Sequence, residues 1–467
     1  MPMPEISVAS SIEDAAAFDA IVVVTPDVAA LEQELSASAS ASAPVAAAIG
    51  AALSRHRAVD KTLGDDGTAT LLVVEAAPGG RVVVAGVGSR SGEGADVRLW
   101  GDAAASGVVR ARGAGASRPL LLLHGAPDAE ASCSSGSSLP PALAVALLGV
   151  LQALYEPLQA REHEGDDGRV KLEPVQQVGF VPPPSCACSQ EQTALFVRRV
   201  RAIESGRRLA RDVGNSDPER MTPQQCAAYI QQSLEGLPVS VQVVSDVAEI
   251  EREYPLAYAV ARGSLPVERH HPRIVRLEYV PAEGTVDETL LFSAKGIVYD
   301  TGGADIKTGG IMAGMHLDKA GACNVAGFLK TVGLLRPAGL RVVAELGFVR
   351  NSCGSDSYVS DEIVRYERRH PACCLTDPTL PTDNLLTWCA LSLSLSLSLS
   401  LFTNTSSHAG KRVQVLNTDA EGRMVLSDML SHLRERVLQD RDAYPNPRFF
   451  TCATLTGHAS RYARSCL

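Results

Sequence analysis

The chain lacks any apolar run long enough to cross a membrane, which takes about 20 consecutive residues, and so no membrane partner is expected. Its opening stretch, MPMPEISVASSIEDAAAF, is neither basic enough nor apolar enough for a secretory signal. A basic stripe is missing as well: the formal net charge is −10, which excludes a general nucleic-acid binder. Eleven cysteines are present, but without zinc-finger or disulfide-framework spacing. The nearest approach, Cys186-Ala-Cys188, carries no redox or metal reading, and reduced thiols in a cytoplasmic protein are the expectation. What remains is the composition of a soluble globular protein, 45% hydrophobic and 21% charged over 467 residues, long enough for two domains.

The chemistry concentrates in two stretches. One is Asn417-Thr418-Asp419-Ala420-Glu421-Gly422-Arg423. The other runs from Lys295 through Asp300 and Lys307 to Asp318. Together they hold four carboxylates, two lysines and an arginine. Asp419 and Glu421 are two apart, and in an extended segment that spacing points both the same way. Val413–Leu416 reads as a strand before them, and Met424 onward as an amphipathic helix. Upstream, Thr289–Ala294 reads as a strand and Lys319–Leu335 as a helix, so Lys295, Asp300, Lys307 and Asp318 are expected at a strand end and the loop after it. Converging carboxylates repel unless something neutralises them, and a divalent metal is the usual neutraliser. For any one acidic residue at a helix start, capping is the plainer reading.

As a set, these residues resemble the leucine aminopeptidase (cytosol aminopeptidase) family of dinuclear zinc exopeptidases. The NTDAEGR run and the block KGIVYDTGGADIKTGGIMAGMHLDKAG carry the resemblance, in the wording of the branch named "probable aminopeptidase". It extends from about Gln190 to Thr456. The resemblance implies Lys295, Asp300, Asp318 and Glu421 as ligands of one metal. It implies Asp300, Asp419 and Glu421, with the Asp419 carbonyl, as ligands of the other. Zn²⁺ is the first choice for both, with Mn²⁺ or Mg²⁺ as alternatives. It further implies peptide hydrolysis from a free N-terminus by a metal-bridged water, Lys307 stabilising the oxyanion, and Arg423 holding a bicarbonate. Met315, Thr454, Leu455 and Gly457 are implied for the side-chain pocket, and a homo-oligomer, a hexamer by family, for the assembly.

The same resemblance sets the expected architecture: α/β, in two domains. Residues 1–165 would form the smaller N-terminal α/β domain, with strands at Ala20–Thr25, Thr70–Ala76, Arg81–Gly86 and Pro119–His124 and a helix at Pro141–Tyr155. Ser36–Ala43 reads as a surface connection. Residues 166–190, with Val181-Pro-Pro-Pro184, would be the linker. Residues 191–467 would form the catalytic α/β domain, a mixed sheet flanked by helices. It opens with a helix at Ala194–Val213 and continues with strands at Val239–Ser245 and Arg273–Val280.

Two departures from the family stand out. Residues 365–407 insert a segment whose Leu391–Leu401 stretch alternates Leu and Ser, read as intron-derived sequence or, alternatively, as a β-hairpin. The chain also ends ten residues after Gly457, where family members continue for most of another hundred. The competing expectation is therefore a catalytically defective or non-catalytic family member, kept as a binding or assembly subunit or made as a mis-spliced product.

Overall fold

The structure, a computed structural model, describes residues 3–37, 43–87, 96–127, 139–162, 175–183, 188–364 and 407–454. The chain divides into two compact units, Met1–Glu204 and Ser205–Leu467.

The first unit is built on a six-stranded sheet ordered β1-β6-β5-β2-β4-β3, with strands β1 Glu5–Val8, β2 Ala20–Thr25, β3 Ala69–Val73, β4 Arg81–Gly86, β5 Pro119–Leu123 and β6 Gln177–Phe180. All neighbours are parallel except β3, which runs antiparallel to β4. The central strand β2 reads AIVVVT and is buried at every position, because a parallel strand is covered on both faces and needs an unbroken apolar run. One core includes Trp100, Leu143 and Leu147, and the other includes Ile49, Leu53 and Leu31. The expected strand Thr70–Ala76 is instead Ala69–Val73 and lies at the edge, with Val73 80% exposed. Residues 175–183, inside the stretch expected as linker, carry β6, which pairs with both β1 and β5. The expected connection at Ser36–Ala43 falls mostly outside the described residues.

The second unit holds a five-stranded mixed sheet ordered β13-β9-β10-β8-β7: β7 Val239–Val244, β8 Arg273–Tyr279, β9 Glu288–Asp300, β10 Leu340–Asn351 and β13 Pro447–Cys452. Strands β13, β9 and β10 are parallel to one another, and β8 reverses direction. A separate two-residue ladder joins β11 Ile363–Val364 to β12 Val413–Gln414. Helices Ala320–Leu335 and Glu421–Gln439 pack on β9 and β10. Helix Glu421–Gln439 lies so close to β10 that a Cβ at Gly347 would meet Val425 Cγ1 at 2.5 Å.

Asp428 locks that helix in place. It is wholly buried, and its carboxylate accepts the backbone N–H groups of Leu256 at 2.6 Å, Ala257 at 3.3 Å and His408 at 3.0 Å. Burial lifts its carboxyl to about 7 against the pull of those amides. Asp428→Ala strands all three donors, and each orphaned buried amide costs about 1–3 kcal/mol. Urea unfolding should therefore show a loss of about 3 kcal/mol or more. Asp428→Asn, which keeps one acceptor oxygen, should lose less.

Candidate metal centre

The site forms where β9 ends. Lys295 and Asp300 are five apart, so a regular strand would send their side chains to opposite faces. The register explains why they meet. Val349 pairs with Ile297 and Asn351 with Asp300, two steps on β10 against three on β9. The extra residue on β9 is a bulge, which restores Asp300 to the face of Lys295. Lys295 thus lies within the strand, and the strand ends at Asp300, where sequence spacing placed both nearer the following loop.

Lys295 is 3% exposed, with its Nζ 2.7 Å from Glu421 Oε1, 2.8 Å from Asp318 Oδ1 and 3.1 Å from the Thr454 carbonyl. Gly422 makes this approach possible: a Cβ there would stand 2.8–3.0 Å from the end of the Lys295 side chain. Asp318 sits in the single turn Met315–Lys319 that leads into helix Ala320–Leu335. Glu421 is the first residue of helix Glu421–Gln439. Asp300 Oδ1 accepts Gly302 N–H at 2.9 Å and Asn351 Nδ2 at 2.8 Å, while its Oδ2 faces Lys307 Nζ at 3.0 Å. Lys307 also forms a close ion pair with Asp419.

The carboxylates of Asp300, Asp318 and Glu421 come within 4.8 Å of one another, and all three residues are buried. Asp419 stands apart from that trio, on Lys307 and partly exposed. The extended reading of Asp419-Ala-Glu421 is therefore corrected: Thr418–Ala420 is a single helical turn, capped by Asn417 Oδ1 accepting Asp419 N–H at 2.7 Å, and Glu421 already belongs to the helix. Strand alternation, which would put the two side chains on one face, therefore does not apply to this turn.

The electrostatics are those of an anion-rich pocket. Four carboxylates face two lysines, a formal balance of −2. Burial lifts Asp318 to about 7 against the pull of Lys295, and Glu421 lifts it further. Burial pushes Lys295 down, but the charges of Glu421 and Asp318 outweigh it and hold the amine above its ordinary range. Lys307 behaves likewise through Asp419 and Asp300. Asp318 Oδ2 and Glu421 Oε2 are buried without a hydrogen-bond partner in the structure. Two orphaned buried carboxylate oxygens beside a third carboxylate are a donor set for a hard cation, so the residues fit a divalent metal.

Arg423 is exposed on the first helical turn, its Nε donating to the Ala420 carbonyl at 3.3 Å. Met315 is half-buried in the turn before Asp318, and Thr454 Oγ1 donates to Asp318 Oδ1 at 2.7 Å. Leu455 and Gly457 lie outside the described residues. Sequence reasoning missed Thr418, Asn351 and Tyr358. Asn351 Nδ2 and Tyr358 OH both donate to the Thr418 carbonyl, at 3.1 and 2.6 Å. Only the position of Thr418 inside NTDAEGR hinted at a role.

Residues 208–370 and 405–463 match the model of the cytosol aminopeptidase family, catalytic domain. The chain resembles that catalytic domain over most of its second unit. It is 34% identical over 381 residues to a Caenorhabditis elegans protein named as a putative aminopeptidase, covering 82% of this chain and 60% of that one. A "Probable cytosol aminopeptidase" of Roseiflexus castenholzii is 27% identical over 400 residues, 84% of this chain and 66% of the relative. The chain thus spans less than two thirds of the length of either relative. Among solved structures, the fold is shared with the bottromycin maturation enzyme BotP in complex with Mn, at TM-score 0.61 and 23% identity over 95% of this chain and 74% of that one. A tomato leucine aminopeptidase mutant gives 0.63 and 18%, over 93% and 72%. No helix among the described residues is long and apolar enough to cross a membrane.

The family model leaves residues 371–404 unmatched. The expected insertion at 365–407 lies almost wholly outside the described residues, but its two ends are paired: Val364 with Val413, and Ile363 with Gln414. The residues that flank the segment therefore lie side by side in one ladder. Deleting 371–404 shortens the closed connection, which closure entropy favours by about 1 kcal/mol. The deleted protein should retain the metal content of the full chain and unfold at equal or higher urea concentration. Loss of the fold on deletion would show that the segment is integral.

Proposed function

We propose that this chain is a metal-dependent aminopeptidase that releases N-terminal residues from peptides. The observation that carries the reading is the buried trio Asp300, Asp318 and Glu421, with two unpartnered oxygens and Lys307 beside it. In this reading Asp300, Asp318, Asp419 and Glu421 would hold two divalent ions, Zn²⁺ first and Mn²⁺ or Mg²⁺ as alternatives, together with Lys295, whose amine would give up its proton to the field of the bound ions. Bound there, the ions would supply Lewis-acid activation of water and an anchor for the substrate's free amino group.

The chain's own residues do the rest. Lys307 donates a charged N–H to the carbonyl oxygen as it gains negative charge. Arg423 would hold a small anion, bicarbonate by family, which when bound would supply a group for proton transfer. Met315, Thr454, Leu455 and Gly457 border the pocket for the first side chain. The protein works in the cytoplasm as a homo-oligomer, a hexamer by family.

Two substrates test the reading. Metal-loaded protein should cleave a leucyl amide with a free amino group and leave its N-acetylated counterpart intact. Cleavage of both would remove the exopeptidase assignment. Cleavage of neither, with two ions bound, would favour the non-catalytic reading.

A further inference from the structure

One carboxylate next to the site takes no part in the metal reading, yet it joins the two halves of the site. Asp305 Oδ2 accepts Thr418 N–H at 2.7 Å, and the Asp305 N–H donates back to Thr418 Oγ1 at 2.8 Å. Ser360 Oγ lies 3.1 Å from the same carboxylate oxygen. Thr418 itself is fully buried: its hydroxyl donates to the Gly302 carbonyl at 2.6 Å, and its own carbonyl accepts Tyr358 OH and Asn351 Nδ2. It is therefore a fixed point, one residue before Asp419.

Asp305 is two residues before Lys307, in a loop with little stiffness of its own. Gly302, Gly303, Gly309 and Gly310 all have positive φ around Lys307, and glycine resists few conformations. Inside the loop, Lys307 N–H donates to the Thr301 carbonyl at 2.9 Å. Asp305 supplies the side-chain contact from this loop to Thr418, beside the bond of the Thr418 hydroxyl to the Gly302 carbonyl at the start of the loop. Its side chain is exposed, so it contributes nothing to the core. The Thr418 N–H holds its carboxyl below the usual carboxylate range, so it remains an acceptor at neutral pH.

We propose that Asp305 is a positioning residue, which clamps the Lys307 loop to Thr418 so that the Lys307 ammonium stands between Asp300 and Asp419. The kinetic consequence rests on the aminopeptidase reading; the clamp does not. A displacement of about 1 Å in a catalytic group can cost on the order of a hundredfold in rate.

The test compares Asp305→Ala with Asp305→Asn in the full chain. Asparagine keeps an oxygen that accepts the Thr418 N–H; alanine keeps only the backbone N–H bond to Thr418 Oγ1 and loses the acceptor. In metal-loaded protein, Asp305→Ala should lower kcat by about 10- to 100-fold, with KM and bound metal unchanged. Asp305→Asn should stay close to wild type. In metal-free protein, amide exchange over residues 301–314 should quicken in Asp305→Ala and not in Asp305→Asn. Wild-type kcat or wild-type exchange in Asp305→Ala overturns the proposal, and so does a rate loss that only mirrors lost metal. If the wild-type chain cuts no substrate, the aminopeptidase reading fails, and the exchange comparison alone decides the clamp.

Discussion

Glu421→Ala should yield a folded chain that takes up no stoichiometric metal and cleaves no aminoacyl amide. Glu421 is 2% exposed and sits where three elements meet: Lys295 from β9, Asp318 from the turn before helix Ala320–Leu335, and its own helix start. In the proposed reading its carboxylate is shared by both ions, so one substitution empties both positions. Even residues that only support a ligand change metal affinity by about 10- to 100-fold, so loss of a shared ligand should exceed that. The fold should survive, because Lys295 retains Asp318 at 2.8 Å and the helix keeps its packing through Val425, Met429 and Leu433. Metal analysis of the dialysed protein, beside circular dichroism, separates the two effects. Two ions per chain in a folded Glu421→Ala protein would refute the ligand assignment. Asp419→Ala should also lose metal.

That the two motifs belong to one site was legible in the sequence, while the way they meet was not. Strands β7, β8 and β9 of the second sheet were readable as apolar, β-prone runs, and the helix after the acidic pair as an amphipathic one, whereas β10 and β13 were not read as strands. The bulge that turns Asp300 back toward Lys295 is invisible, because nothing in Gly-Ile-Val-Tyr marks an extra residue; it appears only in the pairing with β10. The turn that carries Asp419 into Glu421 was hidden for a related reason. Alternation assumes a strand, and here the chain has already begun to coil, with Asn417 as its cap. Strand β6 escaped notice because four residues beside a proline run look like a linker until β1 and β5 are there to pair with them. Thr418 could not be weighed from sequence, since its partners Gly302, Asp305, Asn351 and Tyr358 are all distant in the chain.

Lys307→Ala should behave differently from the ligand substitutions: metal stays and rate falls. Lys307 Nζ lies 3.0 Å from Asp300 Oδ2 and against Asp419, so in the metal-free protein it is the counter-charge on that side of the site. Its removal leaves those carboxylates less compensated, which strengthens rather than weakens their attraction for a cation. Metal content should therefore be equal to wild type or higher. The rate should drop, because a charged donor aimed at a developing oxyanion contributes on the order of a hundredfold or more. The loss should fall mainly on kcat, since the donor acts where charge develops and not where the ground-state substrate is held. Lys307→Arg keeps the charge but replaces a compact ammonium with a broad planar fork. Between Asp300 and Asp419 that shape cannot reproduce the single-point contact, so arginine should restore only part of the rate. Near wild-type turnover by Lys307→Ala would remove the oxyanion role and leave Lys307 as the counter-ion of an empty site.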